Sequence, residues 1–193
     1  MLHRRHQLAG FATFSLLELV LVIVLVVVLV ITALENLLPL RGQAESARFA
    51  QTLGALRGAL GLTISERVLA GGLPAVAGLA QENPMTWLAV TPGNYTGASD
   101  HLDPAGLPPG GWGFDNTTRS LVYRVQYPEY FQGGDPGPPH IRLTVRLDYA
   151  DRNGNRRFDP ADNLRGVALV ASADYAWVVP EDSETLRLLG LGQ

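Results

Sequence analysis

Oxygen-bearing side chains recur at regular intervals in the segment DRNGNRRFDPAD, which runs from Asp151 to Asp162. Counted from Asp151, they fall at positions 1, 3, 5, 9 and 12, and position 7 would contribute its backbone carbonyl. About six to eight oxygen ligands at this kind of spacing are what Ca²⁺ prefers. The candidate calcium ligands are Asp151, Asn153, Asn155, Arg157 through its backbone, Asp159 and Asp162.

Two features of this segment depart from the EF-hand pattern that its spacing resembles. Position 6 holds Arg156 where that pattern has glycine, and Arg156 and Arg157 bring positive charge close to the ion. A predicted strand, rather than a helix, precedes the segment. The alternative is a long hairpin turn in which Asn153–Gly154 supplies a positive φ and the acidic side chains cap nearby amides. A loop that binds Ca²⁺ as a cofactor and a turn without metal both remain open here.

Glu18 lies inside an otherwise apolar run, FATFSLLELVLVIVLVVVLVITAL, from Phe11 to Leu34. It is the only charged residue between Ala12 and Leu34. Since roughly 20 helical residues cross the hydrocarbon core of a bilayer, the run predicts a single membrane-spanning helix. A carboxylate near the bilayer centre costs about 3 kcal/mol on insertion scales. Glu18 therefore needs either a place near the polar edge of the membrane or a positively charged partner.

The flanks of the apolar run predict its orientation. The preceding segment, MLHRRHQLAG, contains Arg4 and Arg5 and no acidic residue, whereas Glu35 follows the run before Arg41 is reached. The positive-inside rule therefore places the N-terminus in the cytoplasm and the bulk of the chain on the other side. The run is longer than the apolar region of a secretory signal peptide, and no convincing A-x-A site follows it.

The residues from Phe14 to Leu34, FSLLELVLVIVLVVVLVITAL, resemble the N-terminal segment of type IV pilins and type II secretion pseudopilins. In that family a short basic leader and a cleavage point precede phenylalanine and an apolar run, with glutamate as the fifth mature residue. Phe14 and Glu18 stand at this spacing. The resemblance implies that a prepilin peptidase removes the leader and that the new N-terminal amine is methylated. It also implies that Glu18 pairs with the N-terminal amine of a neighbouring subunit during assembly.

Two signals for leader cleavage disagree by three residues. The family normally has glycine, and sometimes alanine, immediately before the cleavage point, whereas Thr13 precedes Phe14 here. A glycine–phenylalanine pair exists at Gly10 and Phe11, but cleavage there makes Glu18 the eighth residue of the mature chain. Cleavage after Gly10, cleavage after Thr13 and retention of the leader are all open alternatives.

An amphipathic helix is predicted beyond the span. Pro39 follows the apolar run, and apolar side chains then recur at steps of three and four residues. They are Phe49, Leu53, Leu56, Leu60, Ile64 and Val68. Because Gly71–Gly72 and Pro74 are stop signals, residues 39–72 are expected to continue the membrane helix of residues 14–38. In a pilin-like protein the apolar stripe would lie against a small sheet.

Residues 73–193 are predicted to form a β-rich globular domain outside the cytoplasm. Residues 73–110 are rich in glycine, proline, asparagine and alanine, which favours loops. Alternating and β-branched runs then predict a hairpin and further strands: GWGFD with SLVYRVQY, HIRLTVRLDY, and GVALVAS with YAWVV. The predicted fold class is α+β, a long N-terminal helix packed on a small antiparallel sheet, preceded by a basic leader of residues 1–13.

Composition and motifs exclude several classes of function. The chain has a formal net charge of −3 and no cysteine, so disulfides and thiolate metal sites are excluded. It has no basic run beyond its first few residues, so nucleic acid is not an expected partner. His3, His6, His101 and His140 lack the spacing of zinc ligands. No nucleophile elbow, P-loop or dinucleotide-binding motif is present, so no catalytic residue and no enzyme activity are expected.

These residues and the family resemblance lead to two expectations of function. The first is a minor pilin or pseudopilin, a structural subunit of a type IV pilus or type II secretion filament. It would wait in the inner membrane with its C-terminal domain in the periplasm or outside the cell. Its partners would be membrane lipid, other subunits, and the prepilin peptidase that cleaves and methylates it. The second is a signal-anchored extracytoplasmic binding domain that does not assemble, and that would depend on calcium if the loop binds it.

Overall fold

The computed structural model describes residues 15–37, 39–156, 158–159 and 162–178. Contacts within the chain divide it into a unit of residues 1–38 and a unit of residues 39–193, and each unit is described by itself. The first unit contains helix α1 (Leu16–Leu37), and the second contains helix α2 (Pro39–Ala77) and two β-sheets. The predicted α+β class is confirmed.

Helix α1 exposes an almost continuous hydrocarbon surface. Its residues Leu16–Leu34 have a mean hydropathy of 3.3, and none of them is buried in the structure. The only polar side chains in this segment are those of Glu18 and Thr32. By its length and composition, the segment is able to cross a membrane once.

Helix α2 buries the first part of the predicted apolar stripe. The buried side chains of the stripe are Phe49, Leu53, Leu56 and Leu60. Val68 is 45% exposed, so the stripe leaves the core before the helix ends. Near the predicted stop, the backbone of Gly72 is non-helical, with φ 69° and ψ −162°, and helical geometry resumes through Pro74 to Ala77. Glycine makes this break because it adopts a positive φ at little steric cost.

Seven strands form two sheets in the part of the second unit that the structure describes. They are β1 (Tyr95–Ser99), β2 (Trp112–Asp115), β3 (Ser120–Arg124), β4 (Phe131–Gly133), β5 (His140–Ala150), β6 (Asn163–Ala171) and β7 (Tyr175–Trp177). The larger sheet has the order β1-β2-β3-β5-β6, and β4 pairs with β7 in the smaller one. The predicted hairpin corresponds to β2 and β3, and the later predicted runs correspond to β5, β6 and β7.

The larger sheet is mixed, and the prediction of an antiparallel sheet was wrong in this respect. Its strand pairs are antiparallel except that β1 runs parallel to β2. Strand β1 lies within residues 73–110, where composition predicted only loops. The connection from Ser99 to Trp112 is long enough to form the crossover that a parallel pair requires.

One aromatic side chain of α2 contacts rings from both sheets. The ring of Phe49 stacks on Trp112 at a centroid distance of 5.4 Å and lies 5.1 Å from the ring of Tyr123. It also meets two rings of β7, Tyr175 edge-on at 5.7 Å and Trp177 at 6.2 Å. Each such aromatic pair contributes roughly 0.5–1.5 kcal/mol beyond the area it buries. The helix and the two sheets therefore share one core.

A buried carboxylate joins α2 to the end of β3. Glu45 is only 3% exposed. Its Oε1 accepts hydrogen bonds from the Tyr123 hydroxyl at 2.8 Å and the Gln126 N–H at 2.6 Å, and its Oε2 accepts one from the Tyr127 N–H at 2.9 Å. Burial and the bond to Glu45 raise the pKa of the Tyr123 phenol, which keeps the phenol protonated as a donor. The carboxylate thus fixes the helix one turn before Phe49.

Replacing Glu45 with alanine should lower the free energy of unfolding by about 3 kcal/mol or more, because a phenol and two backbone amides lose a charged acceptor. Urea unfolding of the full chain in uncharged detergent, followed by tryptophan fluorescence, measures this change. Glu66→Ala, at an exposed position of the same helix, is the matched control. It should change the free energy by less than about 0.5 kcal/mol. Equal effects of the two substitutions would contradict the anchoring role.

Candidate functional site

In the described part of the first unit, Glu18 places a carboxylate at the beginning of α1. The N–H of Leu19 donates to the carbonyl of Ser15 at 3.0 Å, and Glu18 lies in the first turn of the helix. A negative charge in this place is favoured by the helix dipole, by roughly 0.3–1 kcal/mol at an exposed site. Among the described residues, none forms a hydrogen bond or an ion pair with the side chain of Glu18.

The residues predicted to govern processing lie outside the described part of the chain. They are Gly10, Phe11, Thr13 and Phe14. The three alternatives for the leader therefore stay predictions, and so does the assembly role of Glu18.

The candidate calcium loop connects two antiparallel strands. Strand β5 ends at Ala150 and β6 begins at Asn163, and these two residues are the last pair of the ladder. The rings of Tyr149 and Phe158 meet edge to face at 5.5 Å, so the returning chain is held against the end of β5. The segment is the tip of a long hairpin, as the absence of a predicted flanking helix indicated.

At the start of the loop, Asp151 accepts two backbone hydrogen bonds. The donors are the N–H groups of Gly154 at 2.7 Å and Arg156 at 2.8 Å. Both donor residues have a left-handed backbone, with φ values of 74° and 60°. The predicted positive φ at Gly154 is confirmed. Arg156 makes the sharp turn at position 6 that glycine makes in the EF-hand pattern, at a backbone cost of about 1–2 kcal/mol.

At the end of the loop, the carboxylate of Asp162 closes the turn. Asp162 accepts hydrogen bonds from the N–H of Arg152 at 2.9 Å and from the N–H of Asp159 at 3.0 Å. The N–H of Asp162 in turn donates to the carbonyl of Asp159 at 3.0 Å. The side chain of Asp162, one of the residues that the sequence pattern selected, thus ties the backbone of the two ends of the loop together.

Two asparagine side chains meet one carboxylate oxygen inside the loop. The Nδ2 atoms of Asn153 and Asn155 donate to Oδ2 of Asp159 at 2.5 Å and 2.9 Å. An amide carries its oxygen on the same planar carbon as its nitrogen, so a half-turn of each amide would place an oxygen where the nitrogen now lies. For Asn153 this turn would break the hydrogen bond that its Oδ1 accepts from the N–H of Asn155 at 3.0 Å. Oxygen atoms from three side chains would then face one point, which is the arrangement that a hard cation requires.

As described, the loop is a turn capped by its own acidic residues. In residues 15–37, 39–156, 158–159 and 162–178, no group of three or more His, Cys, Asp or Glu side chains is placed to hold a metal ion. Arg157, the predicted backbone ligand, lies outside these residues. Five of the six predicted ligands are brought into one loop, and their binding of calcium stays a prediction.

A second buried carboxylate, which the sequence pattern did not indicate, lies at the end of β2, just before the turn to β3. Asp115 is 3% exposed, and it accepts hydrogen bonds from the Thr117 N–H at 2.8 Å and the Thr118 hydroxyl at 2.8 Å. The guanidinium of Arg142 lies 3.7 Å from the carboxylate. Burial by itself raises the pKa of Asp115, but the bonds from Thr118 and Thr117 and the charge of Arg142 outweigh it. The pKa of this carboxyl is therefore lowered.

The sequence contained a signal for one of these two buried carboxylates. Glu45 stands four residues before Phe49, in line with the apolar stripe of α2. An acidic residue in that line must either interrupt the core or find donors inside it. Asp115, by contrast, precedes an ordinary turn sequence, NTT, and its ion-pair partner, Arg142, is distant in sequence on β5.

Comparisons of this chain with protein-family models, with curated proteins and with solved structures give no match. The functional argument therefore depends on the residues and geometry described above.

Replacing Asp115 with asparagine should destabilise the domain at pH 7 and lose this effect in acid. Because the folded-state pKa is lowered, the carboxylate stabilises the fold above the unfolded-state value of about 4, and this contribution disappears as pH falls through the folded-state pKa. Urea unfolding of wild type and Asp115→Asn between pH 7 and pH 3 checks this. The exposed Asp148→Asn is the control. A difference between wild type and Asp115→Asn that is constant with pH would show that the charge contributes nothing.

Proposed function

We propose that this protein is a structural subunit of a pilus-like filament, a minor pilin or pseudopilin that waits in the inner membrane before assembly. One observation carries the proposal. The segment Leu16–Leu34 is a fully exposed helix, apolar enough to cross a membrane, and its single charge is Glu18 in the first turn. The resemblance of Phe14–Leu34 to prepilin N-terminal segments indicates which assembly the subunit would join, a type IV pilus or a type II secretion filament.

The charge of Glu18 favours association of its helix with the helix of a neighbouring subunit. A carboxylate held in lipid costs about 3 kcal/mol, and an N-terminal amine in lipid carries a similar penalty. When the amine of one subunit meets Glu18 of the next, the two penalties offset each other, and one axial register between the helices is favoured. The aliphatic side chains that face lipid before assembly would then face the helices of neighbouring subunits.

The flanking charges supply the orientation in this proposal. Arg4 and Arg5 precede the span, and Glu35 follows it. The N-terminus therefore lies in the cytoplasm, within reach of the prepilin peptidase and methylase, and the C-terminal domain lies in the periplasm or outside the cell.

Helix α2 has an uncovered face that suits neighbouring helices. A Cβ atom built on Gly54, Gly58 or Gly61 would meet nothing within 4 Å. Leu62 and Leu69, on the same helix, are 70% and 89% exposed. Small residues about one turn apart let two helix backbones approach closely, and the exposed leucines supply apolar contact. This face supports assembly through helices.

Replacing Glu18 with glutamine should reduce the incorporation of this subunit into filaments by about tenfold or more, because the loss of one charge pair removes at least about 1.4 kcal/mol from each junction. Insertion into the membrane should be unchanged or improved. Immunoblots of sheared filaments and of the membrane fraction measure the two quantities. Thr32→Val, which removes the other polar side chain of the span, is the control and should assemble normally. Normal assembly of Glu18→Gln would contradict the charge-pair mechanism.

Mass spectrometry of the mature N-terminus, from cells with and without the prepilin peptidase, separates this proposal from an anchored domain that does not assemble. We expect a methylated N-terminus that begins at Phe11 or Phe14 only when the peptidase is present. An uncut leader in both cells would overturn the filament proposal.

The candidate calcium loop supports a second role, stabilisation of the extracytoplasmic domain by Ca²⁺. The observation in its favour is the gathering of five predicted ligands into one hairpin tip with the position-6 turn already formed at Arg156. The same site would serve the alternative function, an anchored binding domain that depends on calcium. Extracellular modules bind Ca²⁺ with dissociation constants of about 10⁻⁴–10⁻³ M, so a weak site would suffice outside the cytoplasm.

Calcium should raise the melting temperature of the wild-type domain, and Asp151→Ala should abolish that rise. At a concentration about 100 times the dissociation constant, binding adds about 2.7 kcal/mol, or roughly 5–10 °C for a domain of this size. Calorimetry in calcium and in chelator measures the increment. Asp148→Ala, on β5 outside the loop, should keep it. Asp151 also caps the N–H groups of Gly154 and Arg156, so the substitution removes contacts of the turn whether or not calcium binds. If the wild type melts at the same temperature in calcium and in chelator, the loop is only a turn and the calcium hypothesis is wrong.

A further inference from the structure

A groove of about 760 Å³ runs along one flank of α2. Its opposite wall comes from residues 88–94 and from Pro109–Gly110, and buried rings of the core, Trp112 and Tyr123, line it as well. The groove contains neither Glu18 nor the acidic hairpin tip. Its volume is within the range of about 300–1,000 Å³ that is usual for ligand sites.

Two guanidinium groups in this groove have no acidic partner in the part of the chain that the structure describes. Arg41 and Arg48 are exposed, line the groove and take part in neither of the described ion pairs, which are Arg67–Glu82 and Arg142–Asp115. They are seven residues apart, so they lie on the same side of α2, about 10 Å from each other along its axis.

The single carboxylate that lines the groove does not neutralise them. Glu45 is 3% exposed and already accepts hydrogen bonds from Tyr123, Gln126 and Tyr127. The groove therefore carries a net positive charge beside an apolar surface. Val90, on the opposite wall, is 82% exposed and adds to that apolar surface.

The length of the groove fits a peptide. The helix residues that line it extend from Arg41 to Ala55, which corresponds to about 21 Å of helix. A peptide in the polyproline II conformation rises about 3.1 Å per residue, so six or seven residues cover this distance. In that conformation residues i and i+3 lie on the same side, about 9 Å apart, close to the separation of the two arginines.

We infer that this groove binds an acidic peptide segment of a partner protein, in extended conformation. Two carboxylates three residues apart pair with Arg41 and Arg48, and an apolar side chain packs beside Val90. Arg–carboxylate pairs are strong because the planar guanidinium donates two parallel hydrogen bonds. This inference is independent of the proposed filament function, since it requires neither cleavage of the leader nor the charge of Glu18.

The probe is the hexapeptide EDSETL, which has the sequence of residues 181–186 and has glutamate at its first and fourth positions. It is fluorescently labelled, and its anisotropy is followed as the full-length protein in uncharged detergent is added. We expect saturable binding that weakens as salt is raised, because the contacts are between charges. The amide peptide QNSQTL should bind more than tenfold more weakly.

Arg41→Gln combined with Arg48→Gln should weaken binding of EDSETL more than tenfold. Arg57→Gln, an exposed arginine of the same helix that does not line the groove, is the matched control and should bind within twofold of wild type. Ala44→Trp, at an exposed position that lines the groove, should block the peptide without changing any charge. Circular dichroism confirms that each variant is folded.

Absence of saturable binding to the wild type would overturn the inference, and so would equal binding of the peptide to the double arginine variant and to Arg57→Gln. Nanodiscs of anionic and of zwitterionic lipid test the other occupant, a lipid headgroup. If the double variant loses its preference for anionic lipid but still binds EDSETL as wild type does, the arginines serve the membrane and the inference is wrong.

Discussion

The packing of Phe49 is the contact on which the second unit depends. Its ring touches Trp112 and Tyr123 in one sheet and Tyr175 and Trp177 in the other, so the two sheets meet at α2. One turn earlier on the same helix, a buried carboxylate holds the end of β3 by two backbone amides and a phenol. Apolar stacking supplies most of the stabilisation, whereas the carboxylate fixes position along the helix axis, because hydrogen bonds are directional and stacking is much less so.

This arrangement concentrates the core on one face of α2. The flank that includes Arg41 and Arg48 borders the groove, and the glycines and leucines of its later turns face away from the domain. The described part of the first unit has no core of its own, since Leu16–Leu34 is exposed throughout. Both units thus leave helical surface uncovered, and in the proposed filament the apolar helix α1 and the glycine–leucine face of α2 are the surfaces that neighbouring subunits would share.

Local sequence patterns predicted where the helices and strands lie. Contacts between residues distant in sequence determined how these elements pair and pack. The helical stripe of α2 and the alternation of β5 were readable because periodicity reflects which face is buried. Strand β1 was missed because YTGAS is poor in strand formers, and its parallel pairing depends on a partner beyond a crossover. The spacing of the Asp151–Asp162 loop was also readable. The place of Glu45 in the stripe indicated that it is buried, but its partners were not readable, since two of its donors lie 81 and 82 residues away.

Irregular pairing at both edges of the larger sheet has a consequence for solubility at high local concentration. The ladder of β1 is interrupted between Tyr95 and Ala98, where Gly97 has a φ of 107°, and the ladder of β6 shifts opposite Asp148 and Tyr149. A bulged, bent edge offers a poor template to a strand from another chain. At high local concentration, a strand from another chain would therefore find poor templates for cross-β pairing at these two irregular points, which lie in the first part of β1 and of β6.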